Sequence, residues 1–546
     1  MAFFTLLEHA DVVTMHPARP HARSILLGGG RVLAVFDSPQ PDLVLPDCQR
    51  IDLQGRCLMP GFTDAHIHFV TWGSHLSKLD VGAARSADDV AQAIAARLAA
   101  QPLTPQSQAE ILEVVNWMPN LWANPTLPTS PAWLDAVAPD RPVVLRSRCL
   151  HLAWLNSAAM QVAGLEATMA DPPGGRLERN EHGQLTGLLL ETATKIARDL
   201  LPDNSFECRR QSLTAARREG FKLGITGIHS LETLDDFVVF QEAIRDDIPI
   251  PRVLFYFPYL ALDDLCDLKV QSARSAGFLT IGGIKIFSDG SLGGRTAWMH
   301  APYEGEPGNF GIPIHEVPAL RALISRASAA GLACAVHAIG DAAITAVLDA
   351  FEAAPRPTGA PLRHRIEHLQ TVRRSDLARC AHLGVAASVQ ATHLMDDWAP
   401  ALRLLGTERA SMTYAFRQAR DAGITLMLGS DAPVAYPSVA ASLYAAVNRQ
   451  DLADQPAGGW FAAERLTVAE ALEAHTAIPA QFAGDGHQRG VITPGALADL
   501  VVLEANPLLV PSAQLKHLRV LATILEGRTV YRDVDFDASG LETLAR

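Results

Sequence analysis

At 546 residues the chain is roughly three to four times the ~150-residue domain prior, so one small module is excluded. A large core is within reach, since about 75% of unfolded-chain surface is buried at ~300 residues. Hydrophobic residues make up 48% and charged residues 19%, which excludes intrinsic disorder. The 46 basic and 59 acidic residues leave a net charge of −13, the wrong sign for a phosphate-binding surface, so no nucleic acid is expected as a partner.

The N-terminus, MAFFTLLEHADVVTM, lacks a basic start and meets acidic residues early, unlike a signal peptide. No run of ~18 uncharged apolar residues exists to span a membrane, and no membrane partner is expected. The seven cysteines (Cys48, Cys57, Cys149, Cys208, Cys266, Cys334 and Cys380) are scattered, odd in number and without a C-x-x-C pair. Neither a disulfide framework nor a thiolate zinc site is expected, and a reducing cytoplasm fits best.

In chain order, residues 1–57 read as short strands and turns, including Ser24–Leu27 and Arg31–Phe36 around Gly28-Gly29-Gly30. Eight apolar runs follow: Leu58–His68, Gly224–His229, Arg252–Phe257, Ile281–Ser288, Leu332–Ala338, Arg363–Leu369, Val385–Gln390 and Thr425–Ser430. Helical stretches such as Pro318–Gly331 and Ser375–Gly384 separate most of them. These helices stop repeatedly at glycine (Gly224, Gly331, Gly384, Gly423) just before a strand.

Eight such repeats predict an α/β fold, a parallel (β/α)₈ barrel over residues 58–488, with a doubly wound open sheet as the rival. The gap after the first run far exceeds a βα loop of about 2–6 residues, so an inserted α+β subdomain is expected over 80–205. Within it, Ser86–Ala100 reads as helix, Glu110–Trp117 and Pro142–Ser147 as strands, and Arg176–Glu191 as a hairpin. Residues 489–546 return to short strands, Ala498–Leu503, Val520–Leu525 and Thr529–Tyr531. Each β-rich end is too small to close a core alone. One β-sandwich built from both termini, 1–57 with 489–546, is expected.

The strongest chemical signal is Met59-Pro60-Gly61-Phe62-Thr63-Asp64-Ala65-His66-Ile67-His68. On a strand, His66 and His68 share one face, an arrangement suited to a first-row metal. A lone H-x-H is usually two surface histidines. Here the pair ends an apolar run. Lys285, between Ile284 and Ile286, should be buried at a cost of several kcal/mol unless neutralised. Burial frees the amine to take up CO₂ as a carbamate, an anionic ligand able to bridge two metals.

His337, His368 and Asp431 end further runs. Each alone reads as readily as a core histidine or a capping aspartate. Together they fall at the C-terminal ends of strands, the active-site face of such a barrel. His364 shares parity with His368 but lies deeper and is not read as a ligand. His229 and His393, after the second and seventh strands, should face the pocket. Asp64 is expected to orient an imidazole or to serve a turn.

These stretches resemble the amidohydrolase superfamily, and within it the YtcJ-like group that includes N-substituted formamide deformylases. The resemblance rests on PGFTDAHIH, GIKIFSDGSLGGRTA, VHAIGD, RIEHLQ, GSDAPV and PGALADLVVL, in that order between residues 59 and 503. It implies a metal-dependent barrel hydrolase with ligands at His66, His68, Lys285, His337, His368 and Asp431. One or two ions are expected, zinc first, then manganese, iron or nickel, with N6-carboxylysine at Lys285. Such ions bring the pKa of bound water towards ~7. Asp431 is the expected general base, passing the proton to the leaving nitrogen.

Substrate contacts are expected from His151, His229, Asp289, Arg295, His393 and Trp398, with His151 in a family-like motif of the insertion. Trp117 and Trp154 are candidates for an apolar wall. The expected reaction is hydrolysis of a non-peptide C–N bond, an amide or N-acyl or N-formyl amine. Deamination, ester or lactone hydrolysis and a non-catalytic regulatory or binding role are the alternatives. The expected partners are a small-molecule substrate and a second copy of the chain in a homodimer.

Overall fold

A computed structural model describes residues 4–100, 110–118, 122, 127–148, 150–201, 205–356 and 362–536; Cys149 lies outside them. Gly61 divides the first apolar run into two strands belonging to different sheets. Cys57–Pro60 precedes it and Phe62–Ile67 follows. A Cβ on Gly61 would stand 2.3 Å from Thr226 Oγ1, so the crossing needs glycine. The expected single strand Leu58–His68 is corrected accordingly.

Phe62–Ile67 is the first barrel strand, β1. The others are β2 (Ile225–Leu231), β3 (Arg252–Pro258), β4 (Leu279–Phe287), β5 (Ala333–Ala338), β6 (Arg365–His368), β7 (Ala386–Val389) and β8 (Leu426–Leu428). They pair in parallel and in chain order, β1 to β8. Gly224, Gly331, Gly384 and Gly423 all adopt positive φ before β2, β5, β7 and β8, the helix stops that their spacing predicts.

The ring closes between β8 and β1. Ile67 bridges Ala432 in parallel. The Asp431 N–H donates to His66 O at 2.6 Å and the His68 N–H to Ala432 O at 2.9 Å. Asp64 Oδ1 spans the same seam, accepting from the N–H groups of Ser430 (2.9 Å) and His66 (3.1 Å). Gly429 lies so near that a Cβ would approach His66 N to 2.4 Å. Gly429→Ala is therefore expected to cost about 1–3 kcal/mol through overpacking of the seam. Chemical denaturation checks this, with an unchanged midpoint as the contrary result.

Strands from both ends of the chain share one antiparallel and parallel sheet. Its order is Arg528–Arg532, Val520–Leu525, Leu500–Leu503, Cys57–Pro60, Asp11–Val13 and His21–Ala22. A four-stranded sheet from residues 4–52 packs on it through Leu7, Ile25, Val32, Leu58, Leu500 and Ile524. Arg252 of β3 ties this layer to the barrel, 2.6 Å from Asp499 and 2.9 Å from Glu526.

Between β1 and β2 a separate six-stranded sheet runs Gly175–Arg179, Leu185–Glu191, Leu152–Leu155, Val143–Ser147, Leu112–Trp117 and Leu79–Asp80. Helix Ala87–Ala100 also belongs to this segment. Among the described residues, no helix is long and apolar enough to cross a membrane, and no cysteines are bonded to each other.

Candidate metal centre and active-site cavity

β1 delivers His66 to the barrel interior, with His68 one step beyond it. His66 Nδ1 is 2.5 Å from Glu367 Oε2, and His68 Nδ1 is 2.6 Å from the carbonyl of Leu231. Their Nε2 atoms lie 3.2 and 3.3 Å from the same oxygen, Asp431 Oδ1. Each ring spends one nitrogen on an acceptor and turns the other to a common point, as metal-binding imidazoles do. His66 Nε2 is buried and meets no partner in hydrogen-bonding geometry.

His368 and Asp431 arrive by a different route. Alternation along β6 would send Glu367 and His368 to opposite faces. His368 instead has φ +75° and Leu369 φ +43°, and the chain swings the His368 ring inward. Its centroid stands 5.1 Å from that of His66 and 4.5 Å from that of His337. Asp431 has φ +61°. Left-handed backbone at non-glycine residues costs about 1–3 kcal/mol each and gathers at functional sites. One donor atom each from His66, His368 and Asp431 lies within 4.8 Å of the other two.

His337, on β5, points Nε2 at Gly290 O (3.1 Å), with Asp289 Oδ1 at 3.5 Å, so Nδ1 is the nitrogen that a ligand role would use. Burial holds His337 and His368 well below the usual imidazole range, so both rings are neutral and ligand-ready. Lys285, on β4, is 4% exposed. Its Nζ sits 4.8 Å from the Phe287 ring centroid and makes no hydrogen bond or ion pair among the described residues. Burial pulls it down to about 8 against the carboxylates of Glu367 and Asp431. For Asp431, burial pushes the carboxyl up, but His66, His68 and His368 outweigh it and hold the group well below the carboxylate range.

A cavity of about 90 Å³ opens on these groups, with His337, His368 and Asp431 on its barrel side and Trp117, Met118 and Leu152 of the insertion opposite. A larger depression of about 260 Å³ lies between helices Phe206–Lys222 and Leu234–Arg245; none of the six candidate ligands lines it.

A family model described as the amidohydrolase family matches residues 49–531. The chain belongs to the amidohydrolase family. It is 32% identical to YtcJ of Bacillus subtilis (strain 168), which carries the name of an amidohydrolase, over 89% of this chain and 91% of that one. It is 27% identical to N-substituted formamide deformylase of Arthrobacter pascens, over 96% and 97% respectively. Among solved structures, a metal-dependent hydrolase from Pyrococcus horikoshii OT3 superposes with a TM-score of 0.75 at 25% identity, covering 93% of this chain and 99% of that one. This amidohydrolase is thus an enzyme of a family of metal-dependent barrel hydrolases.

Of the six expected substrate contacts, the amidohydrolase brings two to the cavity wall. His151 gives Nδ1 to Glu191 Oε2 at 2.6 Å and stands 5.3 Å, centroid to centroid, from His337. His393 stacks on His368 at 6.2 Å, with Nε2 buried and without a hydrogen bond among the described residues.

The other four are placed elsewhere. His229 is buried in the barrel against Phe482, with Nδ1 2.8 Å from Arg365 Nη1; its strand parity is right but its depth is not. Asp289 accepts the N–H groups of Trp298, Ile339 and Gly340 at 2.8–3.1 Å and organises the loop after β4. Arg295 pairs with Glu306 on the surface side of that loop. Trp398 packs against the barrel core. Asp64 receives backbone N–H groups at the seam rather than an imidazole. Trp154 is fully buried in the insertion, with its indole N–H on Thr186 O at 2.9 Å, while Trp117 does reach the cavity.

Sequence reasoning passed over two carboxylates, Glu367 behind His66 and Glu191 behind His151. Glu367 had a signal: it is an acid inside a buried four-residue strand, two residues from Arg365.

Proposed function

We propose that this amidohydrolase cleaves the C–N bond of an N-formyl or N-acyl amine at a divalent-metal centre held by His66, His68, Lys285, His337, His368 and Asp431. The observation that carries this reading is the convergence of His66, His368 and Asp431, with His66 Nε2 and His368 Nδ1 both buried and without a hydrogen bond among the described residues. Unsatisfied buried nitrogens cost free energy, and a cation removes that cost. The nitrogen-rich donor set with carboxylate suits zinc first. When bound, a divalent ion supplies Lewis acidity towards water and carbonyl oxygen.

The chain's own groups do the rest. Asp431, ionised at neutral pH, takes a proton from the attacking water on its carboxylate and returns it to the departing nitrogen as the C–N bond breaks. His151 and His393 contact the acyl group from the cavity wall. Trp117, Met118 and Leu152 cover the apolar substituent on nitrogen and exclude water. The name of the Arthrobacter pascens relative supports the formamide class. A lysine carbamate at Lys285 completes the donor set, since its amine makes no hydrogen bond or ion pair among the described residues.

The test is metal analysis of the purified protein followed by a screen of N-alkyl formamides, N-acyl amines, cyclic amides and matched esters. Amine release is expected, reduced by ~10²-fold or more on chelation and restored by zinc. Turnover of esters alone, or amine release indifferent to chelation, is the contrary result.

A further inference from the structure

We infer that Glu367, clamped by Arg365, is a positioning residue that fixes the His66 ring with Nε2 towards the metal. The inference rests on the metal-centre reading above. Glu367 is fully buried, with one carboxylate oxygen 2.5 Å from His66 Nδ1 and the other 2.5 Å from Arg365 Nε. A carboxylate accepts only, so the bridging hydrogen belongs to His66 Nδ1. In the neutral, metal-binding form of the ring, that assignment makes Nε2 the lone-pair nitrogen, on the side of Asp431.

Arg365 is fully buried as well, and each of its contacts holds it still. Nη1 donates to Ala65 O at 3.1 Å and meets His229 Nδ1 at 2.8 Å, and the guanidinium lies 4.4 Å from the Tyr256 ring centroid. Ala65 immediately precedes His66, so Arg365 grips both the backbone beside the ligand and the carboxylate behind it. Arg365 and Glu367 are two residues apart on β6 and share its interior face. The left-handed turn at His368 then adds a ligand from the same strand. One four-residue strand thus supplies a ligand, the anchor of a second ligand, and the anchor's counter-charge.

A carboxylate partner behind a metal-binding histidine is typically worth 10–100-fold in metal affinity. Removing Glu367 alone strands Arg365 as a buried cation, a change that can unfold the chain. The double variant Arg365→Met/Glu367→Met removes both charges with apolar side chains and carries the test. Competition with a chromogenic chelator is expected to show zinc bound about 10–100-fold more weakly than in wild type. Thermal melts of the metal-free proteins report the fold separately. A double variant that folds and binds zinc as tightly as wild type overturns the inference.

A second measurement does not depend on any variant. In zinc-loaded, histidine-¹⁵N-labelled wild type, with His66 identified by its loss in His66→Gln, Nδ1 is expected to bear a hydrogen-bonded proton and Nε2 to be the coordinated nitrogen. Coordination through Nδ1 overturns the inference even if the double variant fails to fold. Wild-type protein that holds no divalent metal overturns the centre itself, and this inference with it.

Discussion

A Lys285→Met variant is expected to lose tight binding of at least one metal ion while its metal-free form becomes more stable than the wild type by about 1–4 kcal/mol. The two effects have one origin. Lys285 is enclosed between Ile284 and Ile286, and its ammonium makes no hydrogen bond or ion pair among the described residues. In the metal-free protein it is a cost, and methionine fills a similar volume without the charge.

The sign of the pH dependence follows. The folded-state value of about 8 lies below the ordinary 10.5, so the unfolded chain binds more protons between them. The destabilisation is complete below about 8 and is relieved as pH rises towards 10.5. Metal-free wild type should therefore gain up to about 3 kcal/mol from this group across that window, and the methionine variant should not. Metal content and chelator-treated thermal melts at pH 7 and pH 10 check both halves. Normal stoichiometry in the variant would refute the ligand role. A variant less stable than wild type without metal would show the amine to be structural.

Asp431→Asn is expected to fold normally and lose ~10²-fold or more in turnover. Asparagine keeps the shape and still receives contacts from the imidazoles, but it cannot carry a proton from water to the departing nitrogen. The backbone at this position stays left-handed, which asparagine tolerates better than most residues. Steady-state kinetics at matched metal occupancy separates lost proton transfer from lost metal. Turnover within a few-fold of wild type at full occupancy would remove Asp431 as the base.

The barrel could be read from sequence because its strands are buried on both faces and its helices stop at glycines, signals that do not depend on tertiary contacts. The division at Gly61 could not, since Met59 and Phe62 are equally apolar and only the approach of Thr226 explains the break. The H-x-H pair was legible from strand alternation. His368 and Asp431 were found from their places at strand ends, but the parity argument linking His364 to His368 fails at the left-handed turn. His364 faces outward, where its ring lies 4.7 Å from that of Phe351.

Arg295 and Trp398 illustrate the opposite limit. Sequence adjacency to a site loop says nothing about which way a long side chain leaves it. His229 shows that the correct face of a barrel strand still leaves depth undecided. Glu191 reaches His151 across the antiparallel pairing of Leu152–Leu155 with Leu185–Glu191, a partnership 40 residues apart with no local trace.

The strand Cys57–Pro60 lies between Asp11–Val13 and Leu500–Leu503 in one sheet. During synthesis on the ribosome, β1 emerges directly behind a strand whose second neighbour has yet to be translated. At about 5–20 residues per second, that wait lasts on the order of a minute. The sheet beside the nascent barrel thus carries an open apolar edge at Cys57–Pro60 until Leu500–Leu503 leaves the exit tunnel, a period in which chaperone protection would matter most.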